Sequence, residues 1–207
     1  MDRNMNLLRE YIRELISEKR YDPPIEQDVV HGLSFDEMRA HLSRHFGKAK
    51  ITLTNSPLML EQSHNPGQGL KPEGIWYACG TDWLDFLQTE MGGPSAEEYQ
   101  VWALKIDMSK VKSLTTSKEI SRFSWKYRNT DEYLKNPVVK IVDWSLASKE
   151  FAGVEFCPYP VGGMDISVKN VWYAGIDVPS GCVWNPSAIT NSTLVAELKD
   201  DGWEVYV

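Results

Sequence analysis

Long apolar runs are missing from this chain of 207 residues. No stretch approaches the roughly 18 consecutive apolar residues that a membrane-spanning helix needs, so no membrane partner is expected. Cysteine is scarce. Cys79, Cys157 and Cys182 form no C-x-x-C pair. No disulfide framework is expected from them, and a reducing, cytoplasmic setting fits best. Histidine is scarce too, and His31, His41, His45 and His64 all lie in the first third. His41 and His45 stand four apart, but no H-E-x-x-H pattern and no cysteine pair joins them, so no metal is expected. A Walker A loop and a G-x-G-x-x-G turn are both lacking, which leaves no sequence support for a phosphate cradle at a helix N-terminus. Positive charge is in deficit: Lys and Arg number 22 against 29 Asp and Glu, for a net charge of −7. That excludes general electrostatic adhesion to nucleic acid while leaving room for a local basic face. The first residues, MDRNMNLLREYIRELISEKR, carry charges inside their apolar stretch and do not read as a secretory signal.

What is present is ordinary globular composition, 42% hydrophobic and 25% charged, enough for one domain or one domain with a short appendage. Residues 4–19 read as a helix, with Leu8, Tyr11, Ile12, Leu15 and Ile16 on one face. This amphipathic start is also a place where a partner protein could dock. Two prolines break it. Ser34-x-x-Glu37 is a capping box that opens a second helix, with Met38, Leu42 and Phe46 as its stripe and Gly47 at its end. Residues 1–47 therefore form a helical N-terminal appendage, and 48–207 an α+β domain.

In the second part, strands are expected at 50–54, 74–78, 99–108, 154–156, 171–174, near Val183 and in the C-terminal WEVYV. Helices are expected at 81–91, after the cap Thr116-x-x-Glu119, and after the cap Asp143 up to Gly153. Short strands interrupted by short helices suggest a split, mostly antiparallel sheet.

Eight tryptophans stand out in this length. Large rings ordinarily fill the core, and some can line a slot for a planar ligand. Cys182 follows a turn, with His64 upstream, but a buried Cys beside Trp is the commoner use of such a residue. Three segments carry more information. The first is Thr52–Pro57, a strand ending in small polar residues that include Thr54, Asn55 and Ser56. The second is Lys71–Trp83, a strand running into a helix. The third is Phe151–Phe156, where Glu155 stands between Val154 and Phe156. Alternation puts Glu155 on the face opposite its apolar neighbours, either solvated or held for chemistry.

These segments resemble the ADP-ribosyltransferase superfamily. More closely, they resemble a group of phage and large-virus proteins with a K-P-x-G-[LI]-W-Y motif, here Lys71–Tyr77. The group's later motif, W-Y-x-x-x-D-V-x-S-G-C-[IV]-W-N, falls here on Trp172–Asn185. The likeness spans roughly residues 50–190. It implies a sheet of ADP-ribosyltransferase type and an enzyme that takes NAD as substrate without a metal. ADP-ribose would pass to a protein or nucleic-acid acceptor, with release of nicotinamide. The superfamily's first-strand His or Arg falls near Thr54-Asn55, which are neither. Its second-strand Tyr or Ser falls on Tyr77 and its late Glu on Glu155. The resemblance thus implies Glu155 and Tyr77 as catalytic groups. It implies Thr54, Asn55, Ser56, Lys71, Trp76, Tyr77 and Trp83 as the NAD site, with Tyr77 and Trp83 closing a slot on the nicotinamide. It also implies a setting in a host cytoplasm or a virion. The alternatives are a non-catalytic binding or virion protein on the same fold, and an NAD glycohydrolase.

One local basic island remains. Lys118, Arg122, Lys126 and Arg128 surround Phe123, Trp125 and Tyr127. Cations interleaved with rings suit single-stranded nucleic acid, and an ordinary solvated helix face is the alternative.

Overall fold

A computed structural model describes residues 28–55, 58–61, 63–67, 69–93, 99–135, 141–160 and 170–207. The helix expected at 4–19, and the docking role suggested for it, lie outside the described residues, as does Ser56.

Among the described residues, nine strands form one hydrogen-bonded sheet: β1 (Val29–Leu33), β2 (Lys50–Thr54), β3 (Ile75–Cys79), β4 (Gln100–Ile106), β5 (Val111–Ser113), β6 (Gly153–Phe156), β7 (Ser180–Val183), β8 (Ile189–Lys199) and β9 (Gly202–Tyr206). Their spatial order is β1-β9-β8-β4-β2-β3-β7-β6-β5. Every pairing is antiparallel except β5 with β6. The class is α+β with a mostly antiparallel sheet, as expected. The sheet is not cut in two, but it parts locally. β2 pairs with β4 along its whole length, whereas its ladder to β3 holds only Lys50↔Cys79 and Ile51↔Ala78. Past that point the Thr52 hydroxyl donates to the Trp76 carbonyl at 2.6 Å. A side chain there takes up a carbonyl that the ladder leaves unpaired.

The helices are α1 (Phe35–Phe46), α2 (Asp82–Glu90), α3 (Ser117–Lys126), α4 (Thr130–Lys135) and α5 (Trp144–Ala147). Both capping boxes form, Ser34 with Glu37 and Thr116 with Glu119. Each satisfies two otherwise orphaned backbone donors. Met38 and Leu42 are fully buried, as their stripe requires.

Pairing register divides the middle of the sheet into two faces, because directly opposed residues point the same way. One face carries Ile51, Leu53, Trp76, Ala78, Val154, Phe156, Ser180 and Cys182. Buried side chains of α1, α2, α3 and α5 pack in the clusters that include this face. The other carries Lys50, Thr52, Tyr77, Cys79, Glu155 and Gly181. It is covered by a smaller cluster to which Leu58, Leu60, Ala188 and Ile189 contribute.

Four expectations need correction. Residues 28–47 are not a separate helical appendage: β1 pairs with β9, and α1 packs against Trp203 and Val205 of β9. Residues 171–175 are a 3₁₀ turn rather than a strand. Asp143 caps only one helical turn, and the chain turns at 148–150 instead of continuing as helix. Cys79 and Cys157 are joined in a disulfide, with Cα atoms 6.5 Å apart. β8, eleven residues long and central to one half of the sheet, is a strand that pattern reading missed.

Candidate functional site

Glu155 sits in the middle of β6, between two apolar neighbours that face the helices. Alternation turns it to the opposite face, as expected, but it is not solvated there: it is only 5% exposed. Two side chains converge on its Oε2. The Tyr77 hydroxyl donates at 2.9 Å from β3, and the Lys50 ammonium lies at 2.5 Å from β2. Register places Tyr77 and Glu155 in one row, on either side of Gly181, and Lys50 in the next row of the same face, opposite Cys79. A buried carboxylate needs a partner charge, and Lys50 supplies it. Burial, and then the charge of Glu155, pushes the Tyr77 hydroxyl far above its ordinary range, so it remains a donor.

Strand β7 runs between Tyr77 and Glu155, and Gly181 is the Cα partner of both. A Cβ at Gly181 would lie 2.4 Å from Tyr77 Cζ and Oη and 2.8 Å from the Val154 carbonyl oxygen. The missing side chain is what lets the phenol lie across β7 to the acid. This gives a structural reason for a glycine in the Ser-Gly-Cys segment.

Lys50 Nζ is also 3.3 Å from Cys79 Sγ and 5.8 Å from the centre of the Tyr77 ring. Cys79 Sγ, Cys157 Sγ and a Glu155 oxygen lie within 4.8 Å of one another. Joined in a disulfide, the sulfurs are not thiolate ligands, and the cation beside the carboxylate is Lys50. Cys182 is fully buried on the helix face, and burial pushes its thiol well above the usual range. That is the reverse of what a cysteine nucleophile needs.

Where β2 and β3 part, a small cleft opens. It is lined by Ile51, Thr52, Leu53, Trp76, Tyr77, Ala78, Trp83 and Ser180. Trp76 and Ala78 face it from the helix side, and Trp83 comes from the first turn of α2. The Trp76 ring is pinned by its Nε1–H, which donates to the Pro72 carbonyl at 3.1 Å. Trp83 stacks on Phe86, with ring centres 5.7 Å apart. Tyr77 borders the cleft while its phenol points to the opposite face, toward Glu155. The indoles that enclose the cleft are therefore Trp76 and Trp83, and the expected Tyr77–Trp83 slot is corrected accordingly.

The remaining expected residues divide. Thr54 ends β2 beyond the parting, and its hydroxyl is buried without a hydrogen-bond partner among the described residues. Trp102 Nε1 on β4 is buried and unpaired in the same way. Asn55 is exposed. Lys71 lies 3.6 Å from Asp177 and 5.8 Å from the centre of the Trp76 ring. Lys118, Arg122, Trp125, Lys126 and Arg128 lie on or just after α3, far along the sequence from the cleft and on its own surface. Lys50 was not among the expected site residues; as the first residue of an alternating strand, it carries no local signal of its role.

No family model, no curated protein and no solved structure matches the chain.

Proposed function

We propose that this chain uses NAD as a substrate, breaking its nicotinamide–ribose bond and passing ADP-ribose to a macromolecular acceptor. The observation that carries the reading is that one residue, Tyr77, both borders the indole-lined cleft and holds a buried carboxylate through its hydroxyl. On this reading the local parting of β2 from β3 is the cleft of an ADP-ribosyltransferase-type sheet. The residues present fit such a substrate. Trp76 and Trp83 offer flat apolar walls to a planar ring, and Thr52 and Ser180, which also line the cleft, offer hydroxyl groups to a ribose or amide group. Lys71, beside Trp76, offers a cation to the pyrophosphate.

In the reaction, the C–N glycosidic bond breaks and its electron pair leaves with nicotinamide. The ribose carbon becomes oxocarbenium-like and bonds to an oxygen or nitrogen of the acceptor, which gives up its proton. A carboxylate beside the ribose stabilises that positive charge in a site that excludes water. On this reading Glu155, which lies across the sheet from the indoles, takes this role from the gap where β2 leaves β3, and Tyr77 fixes its orientation. On this reading Lys50, which holds Glu155 at 2.5 Å, must give up that contact before the carboxylate can act on the ribose.

Nicotinamide release by wild type and by Glu155→Gln tests the reading. A fall of about 100-fold or more is expected, on the scale of losing one electrostatic stabiliser. Equal rates in two equally folded proteins overturn it. Free ADP-ribose as the sole product identifies water as the acceptor, hence a glycohydrolase. A second reading, a binding protein without turnover, is favoured by the saturation of Glu155 by Lys50 and Tyr77. Thermal unfolding with NAD separates the two, since a ligand at 100 times its Kd stabilises by about 2.7 kcal/mol. A melt that NAD leaves unchanged, with no nicotinamide formed, supports the second.

A further inference from the structure

The outer face of α3 stands apart from the cleft and needs no turnover to have a role. Ile120, Phe123 and Ser124 are buried against the core. At 100° per residue, Lys118, Arg122 and Trp125 fall together on the opposite side of the helix. Trp125 is 49% exposed, although Trp144, Trp172 and Trp184 are essentially buried. The Arg128 guanidinium lies 4.2 Å from the centre of its ring and donates to the Trp125 carbonyl at 2.7 Å. An exposed indole braced by a guanidinium is a stacking platform rather than a core ring.

The charges around this platform are uneven. Lys118 and Arg122 make no ion pair among the described residues, and neither does Lys112 on neighbouring β5. The nearby acids are already engaged. Glu119 is turned into its cap, where its Oε2 accepts from Thr115 and Thr116 at 3.0–3.1 Å. Glu150 holds Lys126 at 2.6 Å. Glu132 holds Lys135 at 2.6 Å. Beside α3 runs an open groove lined by Lys112, Arg122, Lys126 and the capped Glu119 together with Phe123, Tyr127 and Phe151. Lys112, Lys118 and Arg122, unpaired among the described residues, thus stand on or beside α3 in a molecule whose net charge is −7.

We propose that this face binds single-stranded nucleic acid. Phosphates lie along Lys118, Arg122 and Lys112, and a base stacks on Trp125. Lys118 and Arg122 are one turn apart, about 6 Å along the helix axis, a separation suited to successive phosphates of an extended strand. An acidic peptide would use the cations but has no need of the indole. A duplex would bury its bases away from the indole.

The test is fluorescence anisotropy of a labelled single-stranded oligonucleotide with the full chain. Neutralising about three phosphates predicts a loss of affinity of about 20-fold between about 50 and 200 mM salt. The double variant Lys118→Glu/Arg122→Glu should weaken binding at least about tenfold. Trp125→Ala should weaken it about tenfold without changing the salt slope, because stacking carries no charge. All three side chains lie outside the core, and an unchanged thermal melt confirms that each variant is folded. Absence of binding at low salt overturns the proposal, as does an unchanged double variant. Equal affinity for poly-glutamate, unaffected by Trp125→Ala, overturns it in favour of an acidic protein partner.

Discussion

The two faces of the same three strands, β3, β7 and β6, are built on opposite principles. On the helix side, Phe156, Trp76 and Cys182 meet Trp144, Trp172 and Trp184, and rings pack edge to face and tilted at 5–6 Å. The indole N–H groups find oxygen partners at Gly69, Ser124 and Phe151. On the other side one carboxylate, one ammonium and one phenol interlock beside a disulfide. The first face gains stability from buried area. The second spends area on a charge pair that apolar side chains would replace without loss. A polar cluster retained where a core would serve marks the face on which chemistry is to be sought.

Three substitutions sharpen or break that contrast. The largest effect is expected for Trp144→Ala on the helix face. It removes a fully buried ring and leaves the Gly69 carbonyl without its donor, at a cost of about 4 kcal/mol. The midpoint of urea unfolding measures it, and a loss below about 1 kcal/mol would mean that the aromatic face is not the stabilising one. Next is Lys50→Met, which strands Glu155 without its counter-charge and costs about 3 kcal/mol. The double variant Lys50→Met/Glu155→Leu should recover most of that. If it does not, the pair contributes net stability and the contrast fails. Smallest is Gly181→Ala, expected to cost about 2 kcal/mol because the new Cβ must displace the Tyr77 ring. Adding Tyr77→Leu, which vacates the space, should return part of it. Stability unchanged by Gly181→Ala would mean that the phenol does not cross β7.

Local chemistry was readable where it is written in adjacent residues. Ser34 with Glu37 and Thr116 with Glu119 announce helix starts, and both boxes close as expected. The alternation around Glu155 correctly turned it from Val154 and Phe156. Long-range register was not readable. That Lys50 rather than water meets Glu155 depends on four strands lying side by side in a particular order. The 78-residue separation of Cys79 from Cys157 leaves no local trace of their pairing. β8 escaped because its first half, Ile189–Thr193, is largely polar and only partly buried. The run Val171–Ala174 misled in the other direction: its rings are core residues, but they reach the core from a 3₁₀ turn.

The near-perpendicular meeting of Trp144 and Trp172, 5.2 Å between ring centres, also has an optical consequence. Two indoles held that close in a chiral arrangement exchange excitation, so as a coupled pair they absorb left- and right-circularly polarised light unequally. The fold thus contains its own coupled-indole chromophore on the ring-packed side. Loss of tertiary order among the rings can be followed in this signal without any label.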